Sequence, residues 1–366
     1  MTKIAFFLPS LDGGGAERVC VNLAAGFLSR GLEVDIVLSQ ARGPLLHTIP
    51  AGVRVIDLAV RRALAATFPL VAYLRHEKPF ALIAAPDHAN LIAVWARMLA
   101  GVKTRTVITN HNYLSIVIRQ SPKMQEKLYP YLLRLFQRYA TYIVAVSEGA
   151  AVDLARTAHI PLGRVSVIHN PAVHPALYEL AARLPAHPWF AGGHPPVILA
   201  VGRLTPQKDY PTLLRAFSLL RAKGLIHLVI LGEGKQRAEL EMLAVHLGIS
   251  SDVDLPGFDI NPYRYMARCN VFVLSSAWEG FSIVLAEALA CGAQIIATDC
   301  FSGPAEILAR GKYGRLVPVG DADAMAVEIE NALLHPLPKD LLYERAGDFT
   351  IDVAVEKYLR LLMPDR

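Results

Sequence analysis

The stretch Glu279-Gly-Phe-Ser-Ile-Val-Leu-Ala-Glu287 sets two carboxylates eight residues apart, across a turn and the start of a helix. The run before it, Val271-Phe-Val-Leu-Ser-Ser276, is short, β-branched and aromatic, which predicts a buried parallel strand. The run after Ser282, Ile283-Val-Leu-Ala-Glu-Ala-Leu-Ala290, is made of strong helix formers and stops at Gly292. Glu279 is therefore expected at the carboxyl end of a strand. Glu287 is expected about two turns down the next helix, on the order of 10 Å away. The plain alternative is a loop carboxylate and a helix carboxylate in ordinary salt bridges.

The same alternation of strand and helix extends in both directions, the pattern of doubly wound parallel α/β sheets. First-half strands are predicted at Lys3–Leu8, Val34–Leu38, Val53–Leu58, Ala81–Ala85, Arg105–Thr109, Tyr142–Val146 and Val165–His169. A second series opens at Pro196-Val-Ile-Leu-Ala-Val-Gly202 and continues with His227–Leu231, Val253–Leu255, Val271–Ser275, Gln294–Thr298 and Arg315–Val317. The architecture is used twice, in domains 1–172 and 196–349. Between them, Pro175 to Pro196 holds five prolines and the Gly192-Gly193 pair, so 173–195 is predicted as a linker. A final helical segment spans Ile351–Leu362.

A chain of 366 residues fits two domains of ordinary size, and 53% hydrophobic residues with a mean hydropathy of +0.35 allow substantial cores. The N-terminus carries one lysine, a short apolar run and a glycine cluster, which does not read as a signal peptide. No run approaches the roughly 20 apolar residues of a spanning helix. Cys20, Cys269, Cys291 and Cys300 lack metal or disulfide spacing and read as reduced, buried thiols of a cytoplasmic protein. The net charge of +5 is uneven. Residues 1–172 hold 19 Lys/Arg against 10 Asp/Glu, a balance of +9, and residues 173–366 hold 18 against 22, a balance of −4. Only the first domain is thus suited to an anionic surface or acceptor. Nucleic acid is excluded as a partner, for there is no zinc-finger spacing, RNP-like aromatic run or dense arginine helix. The segment Lys123–Ala140 sets Met124, Leu128, Leu132, Leu135, Phe136 and Tyr139 beside Lys123, Lys127, Arg134 and Arg138, with Pro130 kinking it or starting a second helix. It reads either as a surface helix burying its apolar stripe or as a contact with a membrane surface.

Several loops carry candidate chemistry. Asp12-Gly-Gly-Gly15 follows the first strand and opens a helix, where backbone amides can meet a phosphate or sugar. It is not a dinucleotide fingerprint, because Arg18 replaces the third glycine, and it lacks a Walker A ending. Arg203 and Lys208 follow a buried strand, in the customary ligand crevice of such sheets. Gly280, Phe281 and Ser282 form the turn into the Glu287 helix, with their amides at its positive end. His111 lies just past a strand. Of two D-x-D triplets, Asp252-Val-Asp254 begins a strand and Asp321-Ala-Asp323 opens a helix; neither is placed as a metal site, and no His/Cys/Asp cluster offers another.

Seven motifs, in order along nearly the full length, resemble the retaining glycosyltransferases of family 4, which have the GT-B fold. Besides the Glu279–Glu287 element they are Gly13-Gly-Gly-Ala-Glu-Arg18, Thr109-Asn-His-Asn112, Val146-Ser-Glu-Gly149 with His169-Asn-Pro171, Gly202-Arg-Leu-Thr-Pro-Gln-Lys-Asp209 and Gly232-Glu-Gly234. The resemblance implies two Rossmann-like domains facing across a cleft, an acceptor-side first domain and a nucleotide-sugar-binding second one. The C-terminal helix would pack back on the first domain. It implies transfer from a nucleotide-diphosphate sugar to a hydroxyl of a sugar or lipid-linked acceptor in cell-envelope glycan assembly, without a cofactor or essential metal; the basic first domain and the Lys123–Ala140 segment add the expectation of peripheral contact at the inner membrane face. By resemblance, Arg203 and Lys208 hold the diphosphate, Glu279 the donor-sugar hydroxyls and Glu287 the ribose. The spacing of the two glutamates matches the gap between those groups. His111 would touch the sugar near C6 or the reacting centre, Gly14 and Gly15 would approach the diphosphate or acceptor, and Gly257 and Phe258 would meet the base through backbone. Asn112, Ser147 and Glu148 are secondary candidates, Ser147 being equally a helix N-cap. Many relatives carry Pro or Gly and then Asn where this chain has Ser282-Ile283, a departure at the donor-sugar contact. Alternatives on the same architecture are a nucleotide-sugar 2-epimerase, a pyridoxal-dependent phosphorylase and a non-catalytic nucleotide-sugar-binding protein.

Overall fold

The computed structural model describes residues 2–120, 124–191 and 193–364, so Lys123 and Gly192, both singled out above, lie outside the described residues. The chain divides into two compact units, Met1–Pro171 with Ile351–Arg366, and Ala172–Thr350.

In the first unit, strands β1 (Lys3–Leu8), β2 (Glu33–Leu38), β3 (Arg54–Asp57), β4 (Ala81–Ala84), β5 (Arg105–Asn110), β6 (Tyr142–Ala145) and β7 (Val165–Val167) form one parallel sheet in the order β3-β2-β1-β4-β5-β6-β7. Residues Ile4 to Leu8 of β1 are wholly buried, as a central strand covered on both faces must be. Helices α1 (Gly15–Ser29), α2 (Thr67–Glu77), α3 (Asp87–Ala100), α4 (Leu114–Gln120), α5 (Met124–Phe136) and α6 (Glu148–Ala158) carry the crossovers. The winding reverses between β1 and β4, so the loops leaving these strands flank a topological switch point, where such sheets bind ligands. Charges at the amino ends of the strands satisfy one another. The Arg54 guanidinium is bidentate to buried Asp35 at 2.9 and 2.6 Å, and Arg54 and Lys3 hold the Glu77 carboxyl down to about 2.

Helix α5 runs through Pro130 rather than breaking there. It buries Tyr129 and Leu133, while Met124, Leu128, Tyr131 and Leu135 stay exposed beside Lys127 and Arg134. The expected stripe is thus divided: Leu132, Phe136 and Tyr139 pack on the core, whereas Met124, Leu128 and Leu135 face outward.

The second unit repeats the plan with six parallel strands, β8 (Val197–Val201), β9 (His227–Leu231), β10 (Val253–Gly257), β11 (Val271–Leu274), β12 (Gln294–Thr298) and β13 (Arg315–Val317), in the order β10-β9-β8-β11-β12-β13. Its switch point lies between β8 and β11. The helices are α7 (Pro175–Ala182), α8 (Tyr210–Arg221), α9 (Arg237–His246), α10 (Tyr263–Met266), α11 (Ile283–Ala290), α12 (Pro304–Ile307), α13 (Ala322–Leu334) and α14 (Lys339–Gly347). One core joins Leu213 and Phe217 of α8, Leu228 and Ile230 of β9, and Met325 and Ile329 of α13.

The stretch 173–195, expected as a linker, is folded into this unit. Leu177 and Ala181 of α7 are buried, and the Leu180 and Ala181 carbonyls accept from Asn261 Nδ2 at 2.9 Å and Arg268 Nη1 at 2.7 Å. Trp189 stacks on His227 with ring centroids 4.1 Å apart. His187 Nε2 meets Asp254 at 2.9 Å, Arg221 pairs with Asp252 at 2.9 Å, and Asp321 caps α13. Both D-x-D triplets are thus in structural bonds. Past Thr350 the chain rejoins the first unit as α15 (Ile351–Leu362), which packs on α1. A Cβ on Gly26 would come within 2.5 Å of Ile351 and Val355 methyls, so glycine is what lets the two helices meet this closely.

Candidate active site

At the carboxyl ends of β8 and β11 polar and charged side chains converge. After β8, Pro206–Lys208 makes a single 3-10 turn, and Asp209 takes a left-handed conformation (φ 44°) to open α8. Its side chain is fixed by Thr212 Oγ1, which donates to Asp209 Oδ2 at 2.7 Å. Three bonds stitch this turn to the loop after β11. Ser275 Oγ donates to the Lys208 carbonyl at 2.6 Å, Ala277 N to the Gln207 carbonyl at 2.8 Å, and Gln207 Nε2 to the Trp278 carbonyl at 3.1 Å. The stitching brings Lys208 Nζ to 2.6 Å from Glu279 Oε1, which also accepts from Ser276 Oγ at 2.8 Å. Both charged side chains are largely buried, so each needs the other: removing one partner of such a pair typically costs ~3–5 kcal/mol.

The neighbouring loop after β9 lies directly on the backbone of residues 202–204. Leu204 N donates to the Glu233 carbonyl at 2.9 Å, and a Cβ on Gly232 would sit 1.9 Å from the Gly202 oxygen. Gly257 ends β10 at φ 98°, and Phe258 after it is exposed. Arg203 is exposed, with no ion-pair partner among the described residues. Gly280 and Phe281 form the turn before α11: Ser302 Oγ donates to the Gly280 carbonyl at 3.3 Å, and Phe281 packs on Phe349. Ser282 holds the N-cap position without capping, and its buried hydroxyl has no hydrogen-bond partner among the described residues. The hydroxyl of Tyr210 is likewise buried and unpartnered beside the Lys208 stem, and burial pushes that phenol up. Glu287 is only 1% exposed; Tyr263 donates to its Oε1 at 3.0 Å. The structure therefore brings Lys208 and Glu279 together and gives Glu287 a separate, buried setting.

In the first unit, Gly14 is the N-cap of α1 and Gly15 its first residue. The amides of Gly13 and Gly14 both donate to Glu17 Oε2 at 2.7 Å. The chain's own carboxylate thus occupies the cradle expected to meet a phosphate. His111 lies just past β5, and its Nε2 is 3.1 Å from Thr109 Oγ1. That hydroxyl gives its one proton to the Ala84 carbonyl at 2.6 Å, so His111 must donate through Nε2, leaving Nδ1 as a bare acceptor. Nδ1 is buried and has no hydrogen-bond partner among the described residues, and burial pushes the imidazole down to about 4. Asn90 braces the same loop through both Thr109 backbone groups. Ser147 caps α6, accepting from Ala150 N at 3.1 Å, and Asn112 and Glu148 are exposed. Among the described residues no group of three or more His, Cys, Asp or Glu could hold a metal ion. Burial raises Cys20, Cys269 and Cys300 to about 12, so these thiols are unreactive.

The family described as Glycosyl transferases group 1 matches residues 188–348, and Glycosyltransferase Family 4 matches residues 13–173. The Campylobacter jejuni N-acetylgalactosamine-N,N'-diacetylbacillosaminyl-diphospho-undecaprenol 4-alpha-N-acetylgalactosaminyltransferase is 31% identical over 343 residues, 89% of this chain and 88% of that one. This chain belongs to the family 4 glycosyltransferases. It is 25% identical to the lipopolysaccharide core biosynthesis glycosyltransferase LpsE of Rhizobium meliloti over 98% of each chain. Its fold is that of Anabaena Alr3699/HepE in complex with UDP, with a TM-score of 0.79 at 20% identity over the full length of both. The GT-B fold that the resemblance implied is thereby shown.

Sequence reasoning on this glycosyltransferase missed the partners rather than the charges. Gln207, Ser275 and Ser276 stood within quoted runs, but nothing in their spacing marks them as bracing Lys208 and Glu279. Tyr263 is 24 residues from Glu287, with no local signal joining them. Burial of His111 has a measurable consequence. Between its ordinary value of 6.5 and about 4 the unfolded chain binds a proton that the folded chain does not. Its contribution to stability is therefore present above pH 6.5 and lost as pH falls through that window. Nitrogen-detected NMR should show a neutral, Nε2-protonated His111 at pH 5.5, and titration near 6.5 would contradict the placement.

Proposed function

We propose that this glycosyltransferase moves a sugar from a nucleotide-diphosphate donor to a hydroxyl acceptor with retention of anomeric configuration and without an essential metal. The buried Lys208–Glu279 pair at the β8/β11 switch point carries the reading, because it sets a cation and a carboxylate on rigid backbone where parallel sheets bind ligands. The donor binds the second unit. Arg203, exposed and unpaired, clamps the diphosphate in a bidentate manner, and Lys208 supplies a point charge. The amides of Gly280, Phe281 and Ser282 face the same group at the start of α11. Glu279 receives donor-sugar hydroxyls through Oε2, since Oε1 is taken by Lys208 and Ser276. Gly257 and Phe258 meet the base through backbone, and Glu287 serves the ribose.

In the reaction the anomeric C–O bond to the diphosphate breaks as the acceptor oxygen bonds the same face of that carbon. The acceptor proton passes to the departing phosphate oxygen. Charge grows on the leaving group, and Arg203, Lys208 and the α11 amides stabilise it. His111, neutral with a bare Nδ1, accepts from a substrate hydroxyl. Gly14 and Gly15 approach a phosphate only once Glu17 leaves their loop. UDP bound to the structurally similar Anabaena Alr3699/HepE supports a uridine nucleotide donor. The activities of the C. jejuni and R. meliloti relatives support a role in cell-envelope glycan assembly, and that of the C. jejuni relative a diphospho-lipid-linked acceptor. Arg203→Ala tests the site cleanly. Lacking an ion-pair partner, Arg203 can be lost at a cost within about 0.5 kcal/mol of stability, while kcat falls ~10²–10³-fold. Turnover within a few-fold of the parent would sink the assignment.

An acceptor of that kind favours work at the cytoplasmic face of a membrane. No helix among the described residues is long and apolar enough to cross one. The outward Met124, Leu128, Tyr131 and Leu135 of α5, with Lys127 and Arg134, instead favour peripheral contact, and the first domain's charge of +9 favours anionic lipid. Each nearby cation adds about 1 kcal/mol, and salt screens the attraction. Cosedimentation with anionic vesicles at low salt, lost at high salt or with Leu128→Ser/Leu135→Ser, is the expected outcome. Protein that stays in the supernatant with anionic vesicles at low salt points to a soluble acceptor.

A further inference from the structure

The bond between Tyr263 and Glu287 joins a short helix to the middle of α11, and nothing in the proposed reaction uses it. Both residues are buried, at 5% and 1% exposure. A tyrosine hydroxyl carries one proton, and here it is donated to Glu287 Oε1 at 3.0 Å. The phenol oxygen then accepts from His174 Nε2, 3.4 Å away, whose ring meets the Tyr263 ring edge-on at 5.7 Å. The chain of donors points one way, from His174 through Tyr263 to the carboxylate, and bonds so aligned reinforce one another. His174 is itself anchored. The amides of the preceding Ala172 and Val173 both donate to the Phe349 carbonyl at 3.0 Å, and Val173 bridges to Thr350.

We propose that Tyr263 is a positioning residue for Glu287, fixing the carboxylate's rotation so that it presents one defined oxygen to the vicinal hydroxyls of a ribose. The proposal rests on the reading of Glu287 as a donor-binding group. A buried carboxylate that accepts a directed hydrogen bond has lost part of its freedom before the ligand arrives, so binding does not bear that part of the ordering cost. Without the phenol hydroxyl the carboxylate turns, and the geometry of a two-hydroxyl contact is lost. Packing alone would predict no such dependence, because phenylalanine fills the same volume.

The test is calorimetry of UDP with the full-length parent, Tyr263→Phe, Glu287→Gln and the double variant. Donor kinetics and thermal unfolding of each protein without ligand accompany it. Tyr263→Phe is expected to weaken UDP roughly 10-fold, the scale of one hydrogen bond to a charged group. It should raise the donor KM, with kcat changed by less than about 3-fold, as loss of uniform binding does. On the Glu287→Gln background it should add nothing. Parent-like UDP affinity in a folded Tyr263→Phe protein overturns the proposal. So does tighter binding, which would make the hydroxyl a competitor for the ribose, or an undiminished loss in the double variant. If Glu287→Gln itself leaves UDP affinity unchanged, the donor reading of Glu287 fails and the proposal with it. If Glu287→Gln weakens UDP and Tyr263→Phe does not, only the proposal falls.

Discussion

The Lys208–Glu279 contact at 2.6 Å is the interaction on which the rest of the second unit's site depends. Two charges withdrawn from water at the edge of a sheet are stable only if they meet with good geometry and their remaining bonds are filled. Here the geometry comes from backbone. The 206–208 turn and the 275–279 loop leave β8 and β11, neighbours in space though far apart in sequence, because the winding reverses between those strands. Ser275, Ala277 and Gln207 lock the two loops together, and Ser276 fills the shared oxygen. The pair therefore exists before any ligand arrives, and in the proposed reaction a negatively charged leaving group would find its cation already oriented.

The same winding in the first unit serves different chemistry. Its glycine loop is closed on itself by Glu17, and its histidine is held neutral by burial and turned by Thr109. A bare imidazole acceptor suits a hydroxyl rather than a phosphate. A carboxylate that must leave its own helix N-terminus makes the glycine loop a weaker anion site than its composition suggests. The second unit is thus better equipped for a diphosphate.

Much of this was legible in the sequence, and for one physical reason. Parallel strands buried on both faces must be continuous apolar runs, so Val197–Val201, Val271–Leu274 and their counterparts are visible without neighbours. Charges just beyond such runs, as at Lys208 and Glu279, are visible too. Contacts that depend on tertiary packing were not. The prolines and glycines of 173–195 read as a linker, yet Leu177 and Trp189 pack it against the second unit. The capping of α1 was hidden because glycine replaces the Ser or Thr that marks a capping box. Periodicity placed Met124, Leu128 and Leu135 on one stripe with Leu132, Phe136 and Tyr139 but could not say that the first three face outward while the others pack on the core.

Hydrogen–deuterium exchange of the full chain with and without saturating UDP addresses the central claim most directly, because it reports where the nucleotide is held without altering a residue. A donor seated on the β8/β11 switch point slows exchange in residues 202–209 and 279–285, with little change in residues 12–18. Protection confined to the first unit's glycine loop, or absent from 202–209 and 279–285 under saturating UDP, would contradict the account.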